Sequence, residues 1–544
     1  MRLIYSIVIS FIVFSLCGCK RSLQDLIADT KEATVTIYTF DEYGSPQGKG
    51  SGFFIDSNGT GITNYHVLDG ATKATLKTND GIEYEIDSVV ASSRKRDIIK
   101  FTVKKPDSKK FQYLTFAKET PVQGDRIYNI SAPMGLEQTF SEGAVSALRS
   151  DSHGDVLQIT APISPGSSGS AILNEKGEVI AVATYLMKGG QNLNFGVRLD
   201  EDLLTLITEN DFAKRNAKFN SKDNFVIVNT PSTGTPYIRL NAIEFKKDAT
   251  VAYFSYTNLD MTTPMIAPYL EVDKKDDGFY LMDNAGGKKY YITSSTLGST
   301  KEDATPIPLA TTRQFKVFFP AVPNFEDIAD ITLVQGKDAR GWRFENIDVA
   351  RYRESLNYDM DSYQKNYAYS LMHEGDLDTP FAIFSEILEE NPEDEDALNV
   401  LGIISYVQGN KKNALDFFTE AINTHESSET GYSNRAYLYL DDGETDKGLA
   451  DLKKSIELNP SGENYLKRAG VYLSQEKWSE AKKDLDKTLA LPKFKEDASI
   501  IALHAICEMQ LGNRQQAIDD FQRAYKLTND PELERQIEYY YELL

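Results

Sequence analysis

From residue 380 onward this chain repeats itself. Ala414-Leu415-Asp416-Phe417-Phe418-Thr419-Glu420-Ala421-Ile422 aligns with Gly448 to Ile456, with Ala481 to Leu489 and with Ala517 to Tyr525. Pro380 to Leu388 is a divergent earlier copy. The opening positions 380, 414, 448, 481 and 517 lie 34, 34, 33 and 36 residues apart. Within a copy, a small residue, a large apolar one four later and a small or apolar one three after that share one helix face. A unit of this length cannot bury such a face alone, so the copies must stack on one another. Pro392 and Pro460 close two copies, and Gly402 and Gly470 sit in the first helices.

This pattern resembles the tetratricopeptide repeat. The resemblance implies helix pairs over 362–544: five repeats and a terminal helix at Glu532–Leu544, with a concave groove for a protein partner.

A chain of 544 residues is too long for one core, and its net charge of −22 argues against nucleic-acid binding and against a polybasic membrane patch. Arg2 and the apolar run Leu3 to Leu16 read as a targeting segment over 1–19, too short to span a bilayer comfortably. Leu16-Cys17-Gly18-Cys19 resembles a bacterial lipobox, which implies lipid on Cys19. Lys20 stands where inner-membrane lipoproteins of Gram-negative bacteria usually carry Asp, which for a Gram-negative source implies an outer-membrane anchor; the expected location is the outer membrane, facing the periplasm, although no residue reads out that side. Cys507, in an apolar helical stretch, would then be the one remaining cysteine, so no intramolecular disulfide is expected. The five His residues have no metal-type spacing, and neither a metal nor another cofactor is expected.

Residues 20–33 read as a tether with one helical turn. From Thr34 short strands alternate with turns, among them Asn58-Gly59, up to an amphipathic helix near 199–209; this predicts a closed all-β unit over 34–212. A second β region, 224–350, carries strand candidates at 251–256, 279–282, 289–293, 315–319 and 331–334. It reads as a small β-sandwich with Trp342 and Phe344 in its core.

Three polar residues in the first unit have the order and contexts of a nucleophilic triad. His66 lies in Thr63-Asn64-Tyr65-His66-Val67, Asp97 heads the apolar run Asp97-Ile98-Ile99, and Ser168 lies in Pro165-Gly166-Ser167-Ser168-Gly169-Ser170. A serine hydroxyl needs a neutral imidazole to take its proton, and the imidazole needs a carboxylate to hold its tautomer. The backbone N–H groups of Gly166 and Ser168 are the candidate oxyanion donors. His153 is a rival base and Asp87 a rival acid, but His153 reads as part of an exposed polar turn and Asp97 leads the better apolar run. No Gly-x-Ser-x-Gly elbow of an esterase is present.

With Gly50-Ser51-Gly52-Phe53-Phe54-Ile55 and Asn194-Phe195-Gly196-Val197, these words resemble the chymotrypsin-fold serine proteases, in their bacterial HtrA-like branch. The resemblance covers about a third of the chain. It implies two six-stranded barrels, with His66 as general base and acid, Asp97 as orienter and Ser168 as nucleophile. Ser170 departs from the family's usual glycine, and the sandwich and repeats stand where PDZ domains usually follow. Ile159 to Gly166 holds no acid, so a small or medium apolar P1 residue is expected, in a pocket lined by Pro162, Tyr185 and Phe195. The expected activity is that of a lipid-anchored endopeptidase of the bacterial envelope, acting on protein or peptide substrates. The alternative is an interaction scaffold whose protease domain is inactive or cuts only itself.

Overall fold

The computed structural model describes residues 22–131, 139–151, 154–163, 166–186, 194–199, 224–233, 235–261, 265–272, 278–300, 303–335, 342–354, 360–372, 375–491, 494–528 and 531–543. The targeting segment with Cys19, the helix expected near 199–209, and His153 lie outside these residues. Two compact units emerge: one of residues 1–256, 268–305 and 313–374, the other of 257–267, 306–312 and 375–544.

The first unit opens with a helix, Leu23–Ala33, where a tether was expected. The Ser22 side chain caps it by accepting the Asp25 N–H, and Leu26 and Ala33 are buried in the core. That buried face explains three turns of helix in place of one.

Two closed barrels follow. The first has strand order β1-β2-β3-β6-β5-β4, from β1 (Thr34–Phe40), β2 (Pro46–Phe54), β3 (Thr60–Thr63), β4 (Lys73–Lys77), β5 (Glu83–Ser93) and β6 (Ile98–Val103). The second has order β10-β11-β12-β9-β8-β7, from β7 (Arg126–Ser131), β8 (Thr139–Asp151), β9 (Gly154–Ile159), β10 (Ala171–Leu173), β11 (Val179–Leu186) and β12 (Asn194–Arg198). Closure leaves no open edge to pair with another chain. The turn between β2 and β3 carries Gly59 at φ +91°. Phe53, Ile62 and Ile98 of the first barrel share one cluster with Val156, Val182 and Val197 of the second, so the barrels meet through apolar side chains.

The β-sandwich is present as two sheets, of five and four strands. Phe254 lies within 5.8 Å, centroid to centroid, of Phe279, Phe315 and Phe344, which come from both sheets. Trp342 joins the same cluster, so these aromatics are core.

Helix 360–371, expected to begin the solenoid, packs within the first unit. Tyr363 is buried, and its hydroxyl donates to the carbonyls of Gly48 at 2.7 Å and Thr39 at 3.2 Å. Its ring meets Tyr38 edge-on. A tyrosine satisfied in this way anchors the helix to β1 and β2.

The second unit carries the helical repeats, with pairs at 395–407 and 411–424, 429–441 and 445–458, 462–474 and 478–489, and 498–510 and 514–527. Helices 378–390 and 531–542 flank them. A Cβ at Gly402 would overlap the Phe418 ring, which explains why a small residue faces a large one in that copy. Across successive copies Arg435 pairs with Asp451, Arg468 with Asp484 and His504 with Asp520. A cavity of about 690 Å³ lies between helices 429–441 and 462–474, lined by Tyr437, Leu466, Val471 and Lys467, among others. Lys467 Nζ lies 3.4 Å from the Asp260 carboxylate there.

Candidate active site

His66 sits in a single helical turn, Tyr65–Leu68, directly after β3. Asp97 sits in the turn before β6, at φ +53°. That left-handed conformation is costly for a residue other than glycine and persists only where surrounding contacts hold it. Here Asp97 N–H donates to Arg94 O at 3.2 Å, and Asn64 Nδ2 donates to Asp97 O at 2.8 Å.

The carboxylate of Asp97 accepts twice from His66. Its Oδ1 takes the backbone N–H at 2.9 Å, and its Oδ2 lies 2.7 Å from Nδ1. Asp97 is 8 % exposed whereas the His66 side chain is half exposed. With a carboxylate on Nδ1, the proton belongs on that nitrogen, and Nε2 keeps its lone pair for a proton from elsewhere.

Ser168 lies on a turn in which Gly166 (φ +91°) and Gly169 (φ +90°) hold conformations that suit glycine. A Cβ on Gly169 would overlap the Ser51 carbonyl. Ser168 Oγ donates to Thr184 O at 3.4 Å. Among the described residues no hydrogen bond joins it to His66, and neither Gly166 N–H nor Ser168 N–H has an acceptor.

Ser170, the departure from the family's usual glycine, is fully buried and donates to Ser167 O at 2.7 Å. It also accepts from Asn129 Nδ2 at 2.8 Å. A hydroxyl fits here because a built polar network receives it. Asn64 lies inside the word that carries His66, but nothing local marks its amide as a donor to Asp97 O, and Asn129 is a single Asn within a strand with no local signal of its role.

Of the expected pocket residues, Pro162 is exposed. Tyr185 pairs with Phe195 across β11 and β12, and its side chain lies outside the described parts. Phe195 is 6 % exposed and packs into the cluster shared by the barrels. Its ring therefore packs against both barrels. Asp87 is exposed on β5.

Fold and site together define the class: the chain carries a trypsin-like peptidase domain followed by tetratricopeptide repeats. Residues 50–182 match the family described as "Trypsin-like peptidase domain", and residues 430–461 match "Tetratricopeptide repeat". A probable periplasmic serine endoprotease DegP-like of Rhizobium meliloti is 35 % identical over 146 residues, 26 % of this chain and 28 % of the relative. A putative serine protease HhoB of Synechocystis sp. is 33 % identical over 177 residues, 31 % of this chain and 41 % of the relative. The chain thus spans less than half the length of either. Among solved structures, the serine endoprotease from Yersinia pestis is similar with a TM-score of 0.30 and 22 % identity, over 39 % of this chain and 73 % of that one.

Proposed function

We propose that this protein is a serine endopeptidase of the bacterial envelope, tethered by lipid on Cys19 at the outer membrane. The observation that carries the reading is the 2.7 Å contact between His66 Nδ1 and Asp97 Oδ2 in a barrel pair that also holds Ser168 on a glycine-flanked turn. Ser168 is the nucleophile. As its oxygen attacks the scissile carbonyl, its proton passes to His66 Nε2, and Asp97 stabilises the imidazolium. The N–H groups of Gly166 and Ser168 receive the oxyanion. When the intermediate collapses, His66 returns the proton to the leaving amine. Water then repeats the sequence on the acyl-enzyme and releases the acid.

The absence of acid from Ile159 to Gly166 favours substrates with an apolar P1 residue. The repeats recruit a protein partner or substrate; the cavity between helices 429–441 and 462–474, where Lys467 faces a carboxylate, supports that role. The periplasmic DegP-like relatives favour an envelope location.

Hydrolysis of an unfolded protein by the full chain, lost in Ser168→Ala, tests the activity. Equal turnover by the variant would refute it. A second reading, an inactive scaffold, draws on the Ser168 hydroxyl being turned to Thr184 O. It predicts no turnover by the unaltered chain.

A further inference from the structure

We propose that Ser51 is a positioning residue for the oxyanion side of the site, and this rests on the peptidase reading above. Ser51 belongs to β2 of the first barrel, whereas the Gly166–Ser168 turn precedes β10 of the second. It is fully buried. Its N–H donates to Ser168 O at 2.7 Å, and its hydroxyl donates to Gly166 O at 2.7 Å. Its own carbonyl accepts from Thr63 Oγ1 at 2.7 Å, which fixes Ser51 in turn.

One residue therefore pins two carbonyls of the turn. A carbonyl shares a rigid plane with the N–H of the next residue. Holding Gly166 O fixes the plane of the 166–167 peptide, and holding Ser168 O fixes that of 168–169. The Ser168 N–H lies on the peptide between those two planes, and the Gly166 N–H adjoins the first. Gly166 has the torsional freedom of glycine, so its peptide would have other orientations open without this tether. Oxyanion donors are effective only when they point at the developing charge before the reaction begins.

The approach of the two backbones is close enough to require small residues on either side. A Cβ on Gly50 would lie 2.6 Å from Val67 and 3.3 Å from Ser168 O, and one on Gly169 would overlap Ser51 O. The Gly-Ser-Gly of β2 thus does two separate things: its glycine at 50 leaves room chiefly for Val67, and its serine holds the turn.

The test compares Ser51→Ala and Ser51→Cys with the unaltered full chain. It measures kcat and KM on a peptide substrate and amide exchange across 166–170. A positioning role predicts that Ser51→Ala lowers kcat by about tenfold with KM within about twofold, less than the roughly hundredfold loss expected on removing a donor itself. Exchange across 166–170 should quicken, and the cysteine, a weaker donor, should fall between. Should Ser51→Ala unfold, Ser51→Cys carries the same comparison. Wild-type kcat, or unchanged exchange across 166–170, overturns the proposal. A chain without turnover even when unaltered removes the peptidase reading, and the exchange measurement then still decides whether Ser51 holds the turn.

Discussion

The Ser168 hydroxyl donates to the Thr184 carbonyl at 3.4 Å. At that length the bond is weak, so little holds the side chain away from His66. Thr184 is also tied to the other half of the site, because its Oγ1 accepts from Asn64 Nδ2 at 3.0 Å. The same amide nitrogen donates to Asp97 O. Asn64 thus links the turn that carries Asp97 to the strand whose Thr184 carbonyl meets the Ser168 hydroxyl.

Removing that link should loosen Asp97, whose left-handed backbone depends on neighbours. We expect Asn64→Ala to lower kcat/KM by about tenfold and stability by about 1–3 kcal/mol, the range for a buried partner left unsatisfied. Thr184→Val should cost less, since Asp97 O keeps its donor. The double variant should be little worse than Asn64→Ala alone. Peptide hydrolysis and denaturant unfolding of the four chains check this, and fully additive losses would contradict it.

Gly169 has no room for a side chain. Its φ of +90° disfavours one, and a Cβ would overlap the Ser51 carbonyl and the Thr63 hydroxyl, both held by hydrogen bonds. Gly169→Ala should destabilise the barrels by about 3 kcal/mol or more, as strain and displaced backbone combine. Gly287→Ala is the comparison: it shares a positive φ of +63° but has open space around it. It should cost about 1 kcal/mol. Equal costs in urea unfolding would show that crowding at Gly169 is unimportant.

In the last repeat pair a histidine stands where the two preceding copies have Arg435 and Arg468. His504 Nδ1 lies 2.8 Å from Asp520 Oδ2, and its Nε2 lies 3.0 Å from Asp486 Oδ1 and 3.8 Å from Glu508 Oε1. Lys482 reaches Asp486 and Glu508 in the same cluster. Burial works to lower the pKa of His504, but the hydrogen bond and charge of Asp520, with the charge of Asp486, raise it above its ordinary value. Asp520 is correspondingly held below the ordinary carboxylate value, where its bonds to His504 and Gln516 outweigh burial.

The sign follows from the raised histidine pKa. The stabilisation is fully present below the unfolded histidine value and is lost as pH rises through the higher folded one. Its acid limit comes when Asp520 takes a proton, below the ordinary carboxylate range. Amide-exchange protection of helices 498–510 and 514–527, corrected for intrinsic rates, should therefore fall as pH rises from the ordinary histidine range into the alkaline range. His504→Arg, which copies Arg435 and Arg468, should abolish that fall. A wild-type chain with flat protection across this range would contradict the assignment.

Much of the candidate site is legible because its residues sit in short local words. His66 follows a strand end, Asp97 heads an apolar run, and Ser168 lies between glycines that need positive φ. The repeats were legible through their period, and Gly402 against Phe418 gives the steric reason for one small–large pair. What the sequence hid is long-range. Nothing local marks Asn64 as the donor to Asp97 and Thr184, residues 33 and 120 positions away. Helix 360–371 has the look of a first repeat, yet the burial of Tyr363 against Tyr38 and Phe40 ties it to β1 and β2. The helix at 23–33 likewise depends on a core that only the assembled barrels supply.

The proposed peptidase activity stands or falls with activation of Ser168 by His66. Labelling of the full chain with a fluorophosphonate, read by peptide mapping, tests it most directly. A stoichiometric adduct on Ser168 is expected, lost in His66→Ala and slowed by about a hundredfold or more in Asp97→Asn, which leaves the wrong tautomer at Nδ1. A folded chain that takes no adduct, or that labels at Ser168 equally well without His66, would contradict it.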